Sequence, residues 1–268
     1  MPFIQKNSVR YYVFDSLRDC GIKHGIFTRK GGISPHPWNT LNVGGTVGDD
    51  PQRVLRNRER IFRTLGLDIR SSFDVWQVHS SKVVCAKSPR KPQTNIIKAD
   101  AILTNVPGVT LFMRFADCVP IYFYDPIHSV IGIAHAGWKG TLDNIAQATL
   151  QTMQENYDSN PSEILTAIGP SIAAHHYEIG PDVLELVEDR YGNAVDNFLI
   201  KPDNYGANIK TRSKPKFDLQ KANQHNLLSA GVRFVEISSI CTACNLGDWY
   251  SHRGENGKTG RFGALITL

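Results

Sequence analysis

Long apolar runs are missing from this chain of 268 residues. No stretch approaches the ~20 consecutive apolar residues that cross a bilayer as a helix. The amino-terminal segment MPFIQKNSVRYYVFD also lacks the charged and then apolar pattern of a signal peptide. Hydrophobic residues make up 41% of the sequence and charged residues 21%, which is the balance of an ordinary globular protein. We therefore expect a soluble, cytoplasmic protein with no membrane partner.

Cysteine is scarce, and its pattern is not that of a disulfide-stabilised protein. The five cysteines are an odd number spread over a long chain, which favours reduced thiols. Cys241 and Cys244 form a single C-T-A-C sequence, whereas a zinc ribbon needs two such pairs. We therefore expect two free thiols at these positions.

The excess of positive charge is also small. A net charge of +5 does not distinguish anionic substrates from nucleic acid. The one dense basic stretch, residues 51–66, has apolar residues at helical spacing behind an N-cap Asp50 and Pro51. Its arginines favour a solvated helix face over an RNA-binding face. No nucleic-acid partner is expected.

No internal repeat, low-complexity tract or linker divides the sequence, so we expect one domain over residues 1–268. Periodicity predicts helices at residues 51–65, 141–157, 181–191 and 218–229. Apolar runs predict strands at residues 11–15, 75–85, 109–115, 119–124, 129–135, 163–168, 232–237 and 262–267. Helices alternate with strands, while residues 100–135 look like adjacent strands. This mixture predicts an α/β fold, a sandwich of mixed β-sheets flanked by helices.

A segment rich in glycine and proline interrupts the regular pattern at residues 30–48. Ordered loops of this length inside a compact domain are usually functional. Polar residues in and beside the segment, including Arg29 and Asn42, would then line a substrate site. A surface excursion without a function fits the composition equally well.

Three residues that could bind a metal lie in or beside predicted buried strands. They are His79, Cys118 and His135, and imidazole and thiolate are ligands of Zn²⁺. Three protein ligands leave a fourth position open, as in catalytic zinc sites. Taken singly, each residue favours a structural role, because a buried free cysteine usually acts as a small hydrophobe. Convergence of the three side chains would indicate a metalloenzyme.

The adjacent pair His175 and His176 is a weaker rival ligand set. Neighbouring side chains on a strand point to opposite faces, although in a loop they could converge. The chain contains no H-x-H sequence, the arrangement usual in multicopper oxidases, so laccase chemistry is disfavoured.

Possible anion-binding and proton-transfer groups lie near these ligands. A glycine turn follows His135, and the predicted helix start beyond it would offer N–H groups, with Lys139 adding a charge. Arg253 and Arg261 surround a glycine-rich turn and could bind a phosphate. Asp117 is expected to be buried, and a buried carboxylate must be paired. It could orient a ligand histidine or accept a proton. Ordinary turns and solvated charges remain the alternative for the basic groups.

Taken together, these segments resemble the YfiH-like laccase-domain family, also called the multicopper polyphenol oxidase or purine nucleoside phosphorylase family. The resemblance covers the chain from about residue 24 to the end. It is carried, in family order, by HGIFTRKGGIS, LNVGGTVGDDPQRVLRNRERI, WQVHS, ADAILTN, ADCVPIYFYDP, AHAGWKGT, AIGPSI…YEIG, CT and SHRGENGKTGR.

The resemblance implies a zinc site built from His79, Cys118 and His135, with copper as the alternative metal. It implies phosphorolysis of adenosine, inosine, guanosine and methylthioadenosine to base and ribose 1-phosphate, together with adenosine deaminase activity. The expected partners are therefore a small-molecule nucleoside and phosphate. Arg29 would contact substrate or phosphate. Gly254 stands where many relatives repeat an arginine, which weakens the implied anion site at that end.

Physical reasoning leaves several alternatives open. Zinc can lower the pKa of a bound water to about 7, which would account for deamination. Phosphorolysis needs an anion pocket and protonation of the leaving purine, for which Arg29, the helix start and Asp117 are the candidates. The competing hypotheses are a hydrolase with Cys118 as nucleophile, a copper-dependent polyphenol oxidase, a role in peptidoglycan editing and a binding module.

Overall fold

The computed structural model describes residues 2–91, 94–201 and 214–268. The strands are β1 Phe3–Lys6, β2 Val9–Tyr12, β3 Lys23–Phe27, β4 Ser72–Asp74, β5 Val83–Cys85, β6 Ala101–Thr104, β7 Thr110–Phe115, β8 Val119–Asp125, β9 Val130–Ala136, β10 Leu165–Ile168, β11 Leu199–Ile200, β12 Lys216–Phe217, β13 Phe234–Ile237 and β14 Phe262–Thr267. The α-helices are α1 Asp15–Asp19, α2 Pro51–Thr64, α3 Trp138–Leu142, α4 Ile145–Tyr157, α5 Pro181–Tyr191 and α6 Leu219–Ser229.

Most of these strands form two mixed sheets. The first has the order β1-β2-β3-β14-β7-β4, and the second has the order β13-β10-β8-β9-β6-β5. Within the first sheet β4 runs parallel to β7, while its other pairs are antiparallel. In the second sheet the two edge strands run parallel to their neighbours, and the central pairs are antiparallel. The prediction of mixed sheets is confirmed.

The two sheets pack face to face through alternating side chains. Met113 and Phe262 of the first sheet share a buried cluster with Tyr122 and Ile133 of the second. Because successive strand residues point to opposite faces, Phe123 lies on the other side of its sheet, in a cluster with helix residues. The sandwich interior is therefore formed by one face of each sheet.

Helices cover both outer faces of the sandwich. Residues of α4 and α6, including Leu150 and Leu227, pack on the second sheet. Ile61 and Phe62 of α2 pack with Phe112 on the outer face of the first sheet. A sandwich flanked by helices was the predicted architecture, and the structure confirms it.

The locally encoded helices match their predictions closely. Helix α2 begins behind Asp50, whose carboxylate accepts a hydrogen bond from the N–H of Gln52, and Pro51 is its first residue. The Asp218 carboxylate caps α6 in the same way. The prediction of one helix over residues 141–157 was wrong, because Asn144 adopts a left-handed conformation (φ 56°) that separates α3 from α4.

The predicted strand over residues 75–85 was also wrong in its centre. β4 ends at Asp74 and β5 begins at Val83, and the residues between them form an extended segment and a bend. The strand predicted at residues 11–15 lies earlier, as β2.

The glycine-rich segment at residues 30–48 is an ordered loop fastened by buried polar groups. Asn57 of α2 is fully buried, and its amide donates to Ser34 Oγ and to backbone carbonyls of the loop. The Asp49 carboxylate accepts hydrogen bonds from Ser34 Oγ at 2.6 Å and from the Asn42 amide at 2.9 Å. These bonds hold the far end of the loop in place beside the cavity described below.

Candidate functional site

The hairpin of β8 and β9 brings Cys118 and His135 together. Its register pairs Val119 with Ala136 and Pro120 with His135. Cys118 immediately precedes β8, so it lies beside the end of β9 that carries His135. Two residues 17 positions apart in the chain are therefore neighbours because of the antiparallel pairing.

His79 reaches the same place from a bend. Its backbone has a positive φ of 60°, so it does not continue a strand as we predicted. The carboxylate of Asp100 accepts hydrogen bonds from the backbone N–H groups of Val78, His79 and Ser80, at 3.1, 3.0 and 2.7 Å. Three converging N–H groups around one carboxylate hold the bend, which aims His79 across the sheet edge.

The three side chains converge as a compact donor set. One ring nitrogen of His79, one of His135 and the sulfur of Cys118 all lie within 4.8 Å of one another. Gly137 lies against them, since a Cβ at that position would approach His79 Nδ1 to 2.6 Å and Cys118 Sγ to 3.1 Å. Two imidazoles and a thiol around one point, with no side chain between them, fit a zinc-sized cation with one position left open.

Asp100 also fixes the orientation of His135. Nδ1 of His135 donates to Asp100 Oδ1 at 2.8 Å, which leaves Nε2 as the ring nitrogen available to a metal. We had suggested Asp117 as the orienting carboxylate, and the structure assigns this position to Asp100. The signal was in the sequence, because ADAILTN places an aspartate directly before an apolar strand.

The same contacts set the ionisation of the group. Burial alone raises the pKa of the Cys118 thiol, but His135 and His79 outweigh burial and bring the pKa down to about 6. Burial lowers the pKa of His135, yet Cys118 and Asp100 raise it to about 9. Burial opposes the ionisation of Asp100, but hydrogen bonds from His135 and Ser80 lower its pKa to about 2. Cys118 is thus held as a thiolate, the form that binds metals and attacks electrophiles.

Asp117 is buried next to Cys118 but has other partners. Its backbone has a φ of 81°, and its carboxylate accepts hydrogen bonds from Thr242 Oγ1 at 2.6 Å and from the N–H of Arg253 at 2.7 Å. The carboxylate is therefore paired with neutral donors, and it connects the metal-ligand strand with the segments around residues 242 and 253.

Two of the residues predicted to bind substrate are bound within the protein instead. The guanidinium of Arg29 lies 2.9 Å from the Glu255 carboxylate, donates to backbone carbonyls and stacks over Tyr250. Arg29 does not line the cavity that contains the metal ligands. Asn42 is fully buried, and its side-chain oxygen accepts from the N–H groups of Gly44 and Arg261. We correct both expectations, because these side chains fasten the loop and do not face a ligand.

The other three predicted residues differ in their placement. Arg253 and Arg261 line the cavity with the metal ligands, as predicted for substrate contacts. Lys139 is exposed, its ammonium lies over Trp138, and it is not part of the cavity wall. The predicted helix start near Thr141 is instead the start of the five-residue helix α3, so we no longer expect a helix-terminal phosphate site there.

The cavity next to the metal ligands has a volume of about 670 Å³. It is lined by Gly44, Gly45, Thr46, Arg58, Asp74, Trp76, Gln77, His79, Arg90, Ile96, Arg114, Ala116, Asp117, Cys118, His135, Trp138, Tyr177, His252, Arg253 and Arg261. Five arginines and two aspartates make this wall strongly basic. Tryptophan and tyrosine side chains supply flat apolar surfaces in the same cavity.

Three of the arginines were missed by the sequence analysis. Arg114 donates to the Asp74 carboxylate at 3.1 Å and to the Val75 carbonyl, and Arg90 donates to the same carboxylate at 2.6 Å. Arg58 Nε donates to the carbonyl of Val43, which leaves its terminal nitrogens facing the cavity. Burial lowers the pKa of Arg58 to about 10, so its guanidinium stays charged at neutral pH.

Arg58 and Arg261 flank the glycine turn of the ordered loop. A Cβ at Gly45 would lie 3.5 Å from a terminal nitrogen of Arg58, and a Cβ at Gly44 would meet the Arg261 side chain at 2.6 Å. Glycine at both positions therefore lets two guanidinium side chains approach the turn. A pair of fixed cations beside an accessible backbone is suited to a small anion.

Comparison with known proteins places the chain in a family. A family model described as "Multi-copper polyphenol oxidoreductase laccase" matches residues 23–268. A Bacillus subtilis protein named "Purine nucleoside phosphorylase YlmD" is 36% identical over 252 residues, covering 91% of this chain and 87% of that protein. A Deinococcus radiodurans protein named "Purine nucleoside phosphorylase" is 36% identical, covering 92% and 89%.

Solved structures agree with these sequence matches. The Bacillus licheniformis hypothetical protein YfiH superposes with a TM-score of 0.88 at 30% identity, covering 100% of this chain and 99% of that one. YlmD from Geobacillus stearothermophilus superposes with a TM-score of 0.85 at 30% identity, covering 99% and 98%. The chain belongs to the YfiH-like laccase-domain family, as its sequence motifs predicted. Among the helices within the described residues, none has the length and apolar character needed to cross a bilayer.

Proposed function

We propose that this protein is a zinc-dependent purine nucleoside phosphorylase that converts a purine nucleoside and phosphate to the free base and ribose 1-phosphate. The observation that carries the proposal is the cavity itself, where an N₂S donor set, aromatic walls and a cluster of arginines meet. The relatives named purine nucleoside phosphorylase support the same reaction. Adenosine, inosine, guanosine and methylthioadenosine are the proposed substrates.

The residues divide into three roles. His79, Cys118 and His135 would hold the metal, which, when bound, supplies a Lewis acid. The planes of Trp138 and Tyr177 offer stacking surfaces to a purine. Asp117 lies on the cavity wall, and its part in protonating the leaving base stays a prediction.

We assign phosphate to Arg58 and Arg261 at the Gly44–Gly45 turn, in place of Arg29 and the helix start. Guanidinium groups bind phosphate oxygens through charge-assisted hydrogen bonds. Arg114 and Arg90 are already engaged by Asp74, so they add positive potential more than free donors. Arg253 is exposed, and its Nη1 donates to the Glu178 carbonyl, which places it at the rim.

The proposal is tested by incubating purified protein with adenosine, with and without phosphate, and separating the products. We expect adenine and ribose 1-phosphate only when phosphate is present. Inosine formed without phosphate would show the deaminase activity that we also propose for this site. Adenine formed equally well without phosphate would indicate a hydrolase and contradict the phosphorylase assignment.

The phosphate subsite makes a separate prediction. Arg58→Gln should raise the KM for phosphate about 10-fold, because one charge-assisted hydrogen bond is worth about 1.5 kcal/mol. The KM for adenosine should change much less. Arg56→Gln, on the exposed side of the same helix, is the matched control and should leave both constants unchanged. Equal effects on both substrates in Arg58→Gln would place phosphate elsewhere.

A second candidate function rests on one specific contact. Cys118, His135 and Asp100 form a chain in which a thiolate lies beside a histidine that a carboxylate orients. This is the arrangement of a cysteine nucleophile with its base. A cysteine hydrolase would need no metal, so activity in the presence of a chelator separates the two candidates.

A further inference from the structure

A second group of potential metal ligands lies outside the cavity wall. It consists of His175, His176, Cys241 and Cys244, whose ligand atoms all lie within 4.8 Å of one another. The sequence analysis predicted two free thiols and a weak histidine pair. It searched for a second cysteine pair, whereas the partner of C-T-A-C is a pair of histidines about 65 residues earlier.

Local structure explains how adjacent histidines can point to one place. His175 and His176 end a short 3₁₀ turn, Ala174–His176, and their ring centroids are 4.6 Å apart. On a strand they would point to opposite faces, but this turn directs both toward the cysteines. Nε2 of His175 lies 3.0 Å from Cys244 Sγ. Ligand atoms of a tetrahedral zinc site lie about 3.3 to 3.8 Å apart, given bonds of about 2.0 to 2.3 Å.

The surrounding backbone supports the cysteine side of the group. Ser171 and Cys241 form a parallel bridge, and the N–H of Ala173 donates to Cys241 Sγ at 3.4 Å. Hydrogen bonds from backbone N–H groups to sulfur are the kind of outer contact that stabilises metal-bound thiolates. Cys241 is buried, while the other three ligands are exposed, so an ion can enter from solvent.

We propose that His175, His176, Cys241 and Cys244 form a second, structural zinc site. Four protein ligands of the N₂S₂ type close the coordination sphere, in contrast to the open site of His79, Cys118 and His135. The ion joins the segment before α5 to the segment that follows β13.

Such a clip acts on the wall of the cavity. Thr242, between the two cysteines in sequence, donates to the Asp117 carboxylate, and Ile172 N–H donates to the Asp117 carbonyl. Tyr177 directly follows the histidines and lines the cavity. Zinc at this site therefore holds Asp117 and Tyr177 in place without contacting the substrate.

Zinc content per chain tests the proposal. Protein purified with zinc and a non-thiol reductant, then gel-filtered, should contain two equivalents. Cys244→Ser and His176→Ala should each contain one, as should Cys118→Ala. Cys20→Ser, which removes an exposed thiol elsewhere, should still contain two. Cys244 and His176 are exposed, so their replacement leaves the core intact.

A second readout isolates the new site. Cys118→Ala protein loaded with Co²⁺ should show tetrahedral ligand-field bands and sulfur charge-transfer absorption, and chelation should lower its Tm by several degrees. Adding Cys244→Ser should remove the absorption. The proposal is overturned if Cys244→Ser keeps all the zinc of the unmodified protein, or if Cys241 and Cys244 are isolated as a disulfide without metal. Failure of the phosphorylase proposal would appear separately, as absent activity with this zinc retained.

Discussion

Cys118→Ala is expected to lower kcat/KM for adenosine phosphorolysis at least about 10³-fold, because a catalytic metal contributes several kcal/mol to the transition state. Cys118 is the only sulfur in the cavity wall of the described residues, and its sulfur lies between two histidines. Without it, two imidazoles remain, which bind zinc far more weakly than the complete set. One equivalent of zinc should therefore be lost together with activity.

Two further substitutions make this prediction specific. Cys85→Ala removes another partly buried thiol that lies outside the cavity, and it should keep both zinc and activity. Cys118→His supplies a different metal ligand at the same position. If Cys118→His recovers zinc and part of the activity, the thiol acts as a ligand. Retention of full activity by Cys118→Ala would contradict both the metal site and the nucleophile.

Asp100→Asn is expected to weaken zinc binding at this site about 10- to 100-fold, the usual effect of losing an outer carboxylate. Asp100 orients the His135 ring and accepts the N–H groups that shape the bend of His79. An amide can accept at one oxygen only, so one of these functions is lost. Zinc affinity should be measured by chelator competition in a Cys244→Ser background, where only this site binds.

The protein contains a matched control for that substitution. Asp125 is fully buried, accepts two backbone N–H groups and lies 2.8 Å from the ring of His128, away from the cavity. Asp125→Asn should lower the Tm by an amount comparable to that of Asp100→Asn but leave zinc affinity unchanged. Equal zinc affinities in the two variants would mean that Asp100 only stabilises the fold.

The sequence predicted those parts of the fold that depend on neighbours along the chain. Helices α2 and α6 begin at aspartate caps, and α2 also has a proline at its first position, so their starts could be identified without a structure. The alternation of apolar side chains likewise identified the central strands. The break at Asn144 was missed because the sequence there keeps its helical periodicity through the left-handed residue.

The site was harder to predict, because distant segments build it. His79, Cys118 and His135 were identified as ligands, but the bend that positions His79 is held by Asp100, twenty-one residues later. Arg58 was overlooked because its helix was interpreted as a solvated face, and only packing against the first sheet turns Arg58 toward the cavity. Arg29 shows the opposite error, since its charge is used by Glu255 inside the protein.

The central claim is that a metal held by His79, Cys118 and His135 is needed for phosphorolysis. Its most direct test is the rate of adenine formation from adenosine and phosphate by protein stripped with a chelator, before and after zinc is restored. We predict that activity disappears on stripping, returns in proportion to zinc rebound, and does not return in Cys118→Ala. Undiminished phosphorolysis by the metal-free protein would contradict the account.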